Sequence, residues 1–156
     1  MPGSSTDLIL RPRLAADLDA LCDVWEAATR STHPFLGDDL IAAERARLEG
    51  DYFPATQTLV ALRDGAVVGF ASLTRGRELA GLFVAPQAQR SGIGRALLTE
   101  LCAGQDVTLE VYTLNMHGRA AYHRLGFVET GRRMDPETGL ERVQMRLVES
   151  PAAPVM

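Results

Sequence analysis

The decapeptide QRSGIGRALL, residues 89–98, places Gly92 and Gly94 where an apolar strand-like run gives way to an apolar helix-like run. A helix start exposes about four unpaired backbone N–H groups and the positive end of the helix dipole. Glycine there lets an anion approach the backbone closely, because no β-carbon intervenes. With Arg90 and Arg95 beside them, the glycines suit a phosphate site. The segment alone equally allows a strand-to-helix turn without a ligand.

The apolar patterns on either side of this stretch predict one α/β domain in the order β-α-α-β-β-β-α-β-α-β-β. Predicted strands cover 7–13, both arms of a hairpin within 56–76, 78–85, 107–113, 127–134 and 141–147, and predicted helices cover 16–29, 38–48, 92–103 and 116–125. We expect a mixed, mostly antiparallel central sheet of about seven strands with helices on both faces.

Composition and charge narrow the possible functions. The chain has 156 residues and a net charge of −4, which favours a single domain over 7–148 with flexible tails at 1–6 and 149–156, and argues against a general nucleic-acid binder. No apolar run approaches the roughly 18 residues of a membrane span, so we expect a cytoplasmic protein that does not bind membranes. Cys22 and Cys102 fall on apolar helix faces and are expected to be inert core residues. No metal-ligand spacing is present, so no metal is expected.

The glycine segment differs from two common phosphate-binding motifs. GxxxxGK[ST] is absent, and the third glycine of the dinucleotide fingerprint is missing. The segment resembles instead the motif [Q/R]-x-x-G-x-[G/A] of the GNAT superfamily of N-acetyltransferases, in which this loop binds the pyrophosphate of acetyl-coenzyme A (acetyl-CoA). Six residues fill the motif: Gln89, Arg90, Ser91, Gly92, Ile93 and Gly94.

A second motif supports the same resemblance. GNAT proteins often carry N-x-x-A-x-x-x-Y-x-x-x-G-F after the fifth strand, and residues 115–127 read NMHGRAAYHRLGF. Asn115, Tyr122, Gly126 and Phe127 match, whereas Gly118 replaces the usual alanine. The resemblance covers about residues 7–148. The segment VWEAATRSTHPFL, residues 24–36, is also similar to a small bacterial subgroup of the family.

The resemblance implies an acetyl-CoA-dependent N-acetyltransferase that acts by direct attack of a primary amine in a ternary complex. The backbone of Leu82, Phe83 and Val84 would pair with the pantetheine arm, and one of its N–H groups would stabilise the charge that develops on the thioester oxygen. The loop and Arg95 would bind the pyrophosphate. Asn115 would hold the pantetheine or position the following helix. Tyr122 would protonate the leaving thiolate, unless it is only a packed aromatic residue.

The general base has several candidates. Glu110 lies on the polar face of its strand, where some family members place a catalytic glutamate, but it could equally be a solvated or ion-paired residue. Glu78 is the rival on the preceding strand. His33 is a third candidate because its ordinary pKa lies near 6.5. A water chain could also replace any side-chain base.

The acceptor side of the family's fold is formed by the first two helices and their loop. Residues 31–53 carry five acidic residues against two arginines, which suits either a solvated helix face or a cationic amine: a peptide lysine or N-terminus, a polyamine or an aminoglycoside. A non-catalytic acyl-CoA-binding regulatory module is the alternative. The pattern is compatible with a monomer or a homodimer.

Overall fold

A computed structural model describes residues 7–32, 34–75 and 77–148 of the chain. Seven strands and four helices of nine or more residues occur in this part, in the predicted order. They are β1 (Leu8–Pro12), α1 (Leu18–Thr32), α2 (Asp38–Arg47), β2 (Gln57–Arg63), β3 (Ala66–Leu73), β4 (Leu79–Val84), α3 (Ile93–Cys102), β5 (Thr108–Tyr112), α4 (Met116–Arg124), β6 (Phe127–Met134) and β7 (Glu141–Leu147). The predicted tails, 1–6 and 149–156, and His33 lie outside the described residues.

The strands form two antiparallel groups that meet at one point. β1-β2-β3-β4 make one group and β5-β7-β6 the other. A single parallel bridge between Glu78 and Thr108 joins them, supported by the Thr108 N–H donating to the Arg77 carbonyl at 3.2 Å. The expected mostly antiparallel sheet of seven strands is therefore confirmed. Past the bridge, β4 and β5 share no ladder among the described residues, and we call this opening between them the notch.

Both faces of the first group are covered by helices, as predicted. Phe70 of β3 packs against α1 and α2 with Trp25 and Ile41, whereas the next residue, Ala71, packs on the opposite side with Leu97 of α3. Alternation along the strand sends neighbouring residues to opposite faces. Cys22 and Cys102 are both buried, as the sequence predicts.

The start of α1 is fixed by a buried carboxylate. Asp17, 7% exposed, accepts a hydrogen bond from the Leu14 N–H at 2.7 Å. It also accepts two from the Arg11 guanidinium, at 2.7 and 3.0 Å. These contacts lower the pKa of Asp17, mainly through the Arg11 hydrogen bonds. They join the end of β1 to the first turn of α1.

Two helical boundaries differ from the sequence prediction. α1 continues past residue 29 to Thr32, whose hydroxyl donates to the Ala28 carbonyl at 3.1 Å and so satisfies an end of the helix. After α2, two short helical turns follow, Leu48–Tyr52 and Phe53–Ala55, where the sequence shows no periodicity. Tertiary packing explains these turns, because Phe53 is fully buried against Phe70.

Candidate active site

The glycine loop, residues 89–94, has a partly left-handed backbone and leaves the start of α3 without a side-chain cap. Gly92 has φ 85° and ψ 3°, and Arg90 before it has φ 65°, so two of three consecutive residues are left-handed. The first helical bond of α3 runs from the Ala96 N–H to the Gly92 carbonyl at 3.0 Å. No side chain caps this end. The preceding N–H groups of α3 are thus left for another acceptor.

Side chains of the same loop hold its shape. The Gln89 amide donates to the Val84 carbonyl at 3.0 Å, and the Ser91 hydroxyl donates to the Ala88 carbonyl at 2.5 Å. Arg95 donates to the Arg124 carbonyl at 3.1 Å, which ties the start of α3 to the end of α4. Backbone left-handedness outside glycine costs free energy and persists only where the surroundings enforce it. The loop is therefore preorganised.

The last residues of β4 and the start of the loop line one cavity. It has a volume of about 450 Å³ and lies between α1 and β4. The predicted cofactor-binding residues Leu82, Phe83, Val84 and Gln89 all line it, and the structure thus brings together strand and loop residues that the sequence shows as separate motifs. Its other walls are mostly apolar, contributed by Trp25, Ala28, Thr29, Thr32, Leu36 and Glu44.

Asn115 and Tyr122 lie on the other side of the notch, on the segment that follows β5. Asn115 caps α4, since its Oδ1 accepts a hydrogen bond from the Gly118 N–H at 2.8 Å. Tyr122 packs edge-on against Phe127, with ring centroids 5.8 Å apart. Burial raises the pKa of Tyr122. The raised pKa keeps the phenol protonated at neutral pH. No described residue hydrogen-bonds its hydroxyl, so the O–H is available to donate to a ligand.

The two predicted carboxylates share a different, smaller cavity of about 170 Å³. Glu110 is paired there with Arg133, which donates to its two oxygens at 2.8 and 2.6 Å, and Gln144 donates at 3.1 Å. The Arg133 hydrogen bonds, more than any other contact, lower the pKa of Glu110. Glu78 is exposed and no described arginine pairs with it within 4.0 Å. Neither carboxylate lines the larger cavity.

The sequence does not single out two further polar groups, one lining the cavity and one buried beside β4. Glu44 of α2 is the one carboxylate among the described lining of the 450 Å³ cavity, although the sequence shows it only as one of five acidic residues. The buried hydroxyl of Tyr52 makes no hydrogen bond with any described residue. Tyr52 stands in a segment without periodicity, so no local signal could have singled it out.

The described residues hold no group of three metal-ligating side chains that could bind an ion. Nor is any helix in the same part of the chain both long and apolar enough to cross a bilayer.

The fold and this site define a class of protein. Residues 36–149 match the family described as the acetyltransferase (GNAT) domain. The chain belongs to the GNAT family, and it is an N-acetyltransferase, as its two motifs predict.

Individual relatives are similar over most of their length. The chain is 32% identical over 120 residues to peptidyl-lysine N-acetyltransferase YiaC of Escherichia coli (strain K12), which covers 76% of this chain and 82% of that protein. It is 32% identical over 116 residues to peptidyl-lysine N-acetyltransferase YjaB of Salmonella typhimurium, covering 73% of this chain and 79% of that one.

Solved structures share the fold at lower identity. The solution structure of apo-form YjaB from Escherichia coli superposes with a TM-score of 0.75 at 23% identity, over 91% of this chain and 98% of that one. The PaiA N-acetyltransferase from Thermoplasma acidophilum in complex with coenzyme A superposes with a TM-score of 0.71 at 19% identity, over 88% and 98%.

Proposed function

We propose that this protein transfers the acetyl group of acetyl-CoA to the side-chain amine of a lysine in a protein or peptide. The observation that carries the proposal is the 450 Å³ cavity, because it is lined by the free edge of β4, by Gln89 at the start of the glycine loop and by one carboxylate, Glu44. Two relatives at 32% identity are named peptidyl-lysine N-acetyltransferases, which supports the choice of acceptor.

Backbone groups would provide most of the binding site for acetyl-CoA. The uncapped N–H groups at the start of α3 would bind the pyrophosphate, and the left-handed Gly92 would leave room for it. The unpaired edge of residues 82–84 would hold the pantetheine arm like an added strand. Asn115, as the cap of α4, would keep the Tyr122 helix in place. Acetyl-CoA supplies an activated acyl group on a thiol leaving group.

The chemistry follows from the protonation states of the groups. A lysine amine with a pKa of about 10.4 must lose a proton before it attacks the acyl carbon. The C–N bond then forms, the C–S bond breaks, and Tyr122 gives its proton to the departing sulfur. The second proton that the nitrogen loses on forming the amide restores the phenol of Tyr122. A backbone N–H of β4 would bind the acyl oxygen as charge develops there.

We propose that Glu78 accepts, through water, the proton that the amine loses before attack, because Glu78 does not itself line the 450 Å³ cavity that would hold the amine. The role that the sequence predicts for Glu110 stays a prediction, but two contacts weaken it. Both of its oxygens are held by Arg133, and its lowered pKa makes it a poorer base. Glu78 shares the same cavity without such a pair.

Glu44 and the apolar residues around it would bind the lysine side chain of the acceptor. A lysine side chain has a long apolar stem and a cationic tip. The cavity offers Trp25, Leu36 and Phe83 for the stem and the carboxylate of Glu44 for the tip.

The test is release of free thiol from acetyl-CoA with a panel of amines. We expect lysine-containing peptides to be acetylated faster than spermidine or free lysine, with mass spectrometry locating the acetyl group on Nε. Glu44→Gln should raise KM for the peptide severalfold, whereas Glu49→Gln, outside the cavity and paired weakly with Arg45 at 4.0 Å, should not. Preference for a small polyamine would refute the peptide assignment. Tight acetyl-CoA binding without turnover by any amine would refute the proposal as a whole.

A further inference from the structure

Tyr52 has a buried hydroxyl beside β4 whose presence no contact within the described part of the chain explains. Its hydroxyl oxygen is buried and has no hydrogen-bond partner among the described residues. A buried hydroxyl without a partner is destabilising, so its presence in a native protein calls for an explanation such as a bound water, an ion or a catalytic role. The Ser72 hydroxyl interacts with it closely enough to oppose the rise in the pKa of Tyr52, but the two do not meet hydrogen-bond geometry. Ser72 is hydrogen-bonded to Thr58 at 2.8 Å.

The position of this hydroxyl is set by aromatic packing. The Tyr52 ring packs edge-on against Phe53 with centroids 5.0 Å apart, and Phe53 in turn packs against Phe70 at 5.4 Å. Phe70 packs against Phe83 of β4 at 5.3 Å. Four rings in contact thus connect the segment after α2 to Phe83 of β4. The phenol is held rigidly, as a group that must meet a ligand in one place would need.

The hydroxyl lies directly on the backbone of β4. A β-carbon added to Gly81 would stand 2.5 Å from the Tyr52 hydroxyl oxygen and 2.8 Å from Cε2 of Phe83. Residue 81 therefore has to be glycine for the hydroxyl to reach this point. Gly81 lies three residues past the bridge that joins β4 to β5, at the start of the free edge.

We propose that the Tyr52 hydroxyl donates a hydrogen bond to the carbonyl oxygen of the thioester acyl group and polarises it for attack. The inference rests on the proposed function, which brings acetyl-CoA to this edge of β4. Burial raises the pKa of Tyr52 to about 12, so the phenol stays protonated at neutral pH and acts as a donor. The Tyr52 hydroxyl and the backbone N–H of β4 would then both donate to the acyl oxygen, and Tyr122 would protonate the sulfur.

The experiment compares affinities for acetyl-CoA and CoA by titration calorimetry, with wild type and Tyr52→Phe. The two ligands differ by the acyl group alone, so a hydrogen bond to its carbonyl affects only one of them. We expect Tyr52→Phe to weaken acetyl-CoA binding about fivefold and to leave CoA binding unchanged, the value of one ordinary hydrogen bond. Turnover should fall about tenfold or more with KM for the peptide unchanged.

Thermal unfolding distinguishes this catalytic role of Tyr52 from a structural one. Removing an unsatisfied buried hydroxyl should raise Tm by about 2 to 4 °C. The matched control is Tyr112→Phe, because the Tyr112 hydroxyl accepts a hydrogen bond from Arg142 at 3.2 Å. That variant should lower Tm and leave the affinity ratio of acetyl-CoA to CoA unchanged.

Each other outcome overturns the inference in a distinguishable way. An equal loss of affinity for both ligands would place the hydroxyl on the pantetheine rather than on the acyl group. An unchanged affinity ratio together with a lower Tm would make Tyr52 a structural residue, with the proposed function intact. Failure of the wild type to bind either ligand would overturn both proposals.

Discussion

Replacing Gly92 by alanine separates the backbone strain of the glycine loop from its proposed role in binding phosphate. Gly92 has φ 85°, and a β-carbon added there would meet nothing within 4 Å. The stability cost is therefore that of a left-handed L-residue alone, about 1 to 2 kcal/mol. Each 1 kcal/mol corresponds to about 2 to 4 °C in Tm for a chain of this size.

The effect on affinity should be larger than the effect on stability. A β-carbon in the loop would push a phosphate away from the N–H groups of α3, and one lost hydrogen bond to a charged group costs about 1.5 to 3 kcal/mol. The dissociation constant for CoA, measured by calorimetry, should accordingly rise about 10- to 100-fold.

The same helix offers a matched control at its other end. Gly104 has φ 71°, and a β-carbon added there would also meet nothing within 4 Å. Gly104→Ala should lower Tm by a similar amount and leave the affinity for CoA unchanged. If Gly92→Ala bound CoA within about twofold of Gly104→Ala, the loop would be a turn and the phosphate-site argument would be wrong.

Three other changes test the remaining assignments. Tyr122→Phe should lower kcat about 100-fold or more while CoA affinity stays the same; normal steady-state turnover would remove Tyr122 from the mechanism. Glu78→Gln should lower kcat/KM about tenfold at neutral pH and Glu110→Gln far less, because the pKa of Glu110 is already lowered by its arginine; pH profiles showing the reverse order would restore Glu110 as the base. Asp17→Asn should lower the free energy of unfolding by about 1 to 2 kcal/mol at pH 7. The folded-state pKa of Asp17 lies below its ordinary value of 3.8. The stability difference, measured by denaturant melts, should therefore vanish as the pH falls from 3.8 through that lower pKa. A difference that persists in acid would show that the Arg11 pair is not its source.

The element order and the donor loop could be predicted from local pattern. α3 begins on Gly92 and buries Ile93, Leu97 and Leu98, since residues at helical spacing share a face. Alternation places Leu109 inside and Glu110 on the opposite face of β5. Helix spacing and strand alternation each involve only a few neighbouring residues. They can therefore be recognised without knowing which residues pack against them.

The contacts that the predicted site residues make could not be predicted from local pattern. Glu110 occupies the expected face, but Arg133, 23 residues later, holds it as an ion pair. That contact depends on β5 and β6 both pairing with β7. The sequence shows the charges but not which of them meet.

What the sequence by itself determines is the fold, the family and the loop whose glycines begin α3. Tertiary structure alone decides which polar groups surround the reaction. It sets Glu44 beside β4, holds Glu110 in a pair, and carries the Tyr52 hydroxyl onto Gly81 through a row of aromatic rings. The physical reason is range: helix and strand periodicities are local, whereas a buried hydroxyl or an ion pair depends on contacts between residues that are distant in the chain.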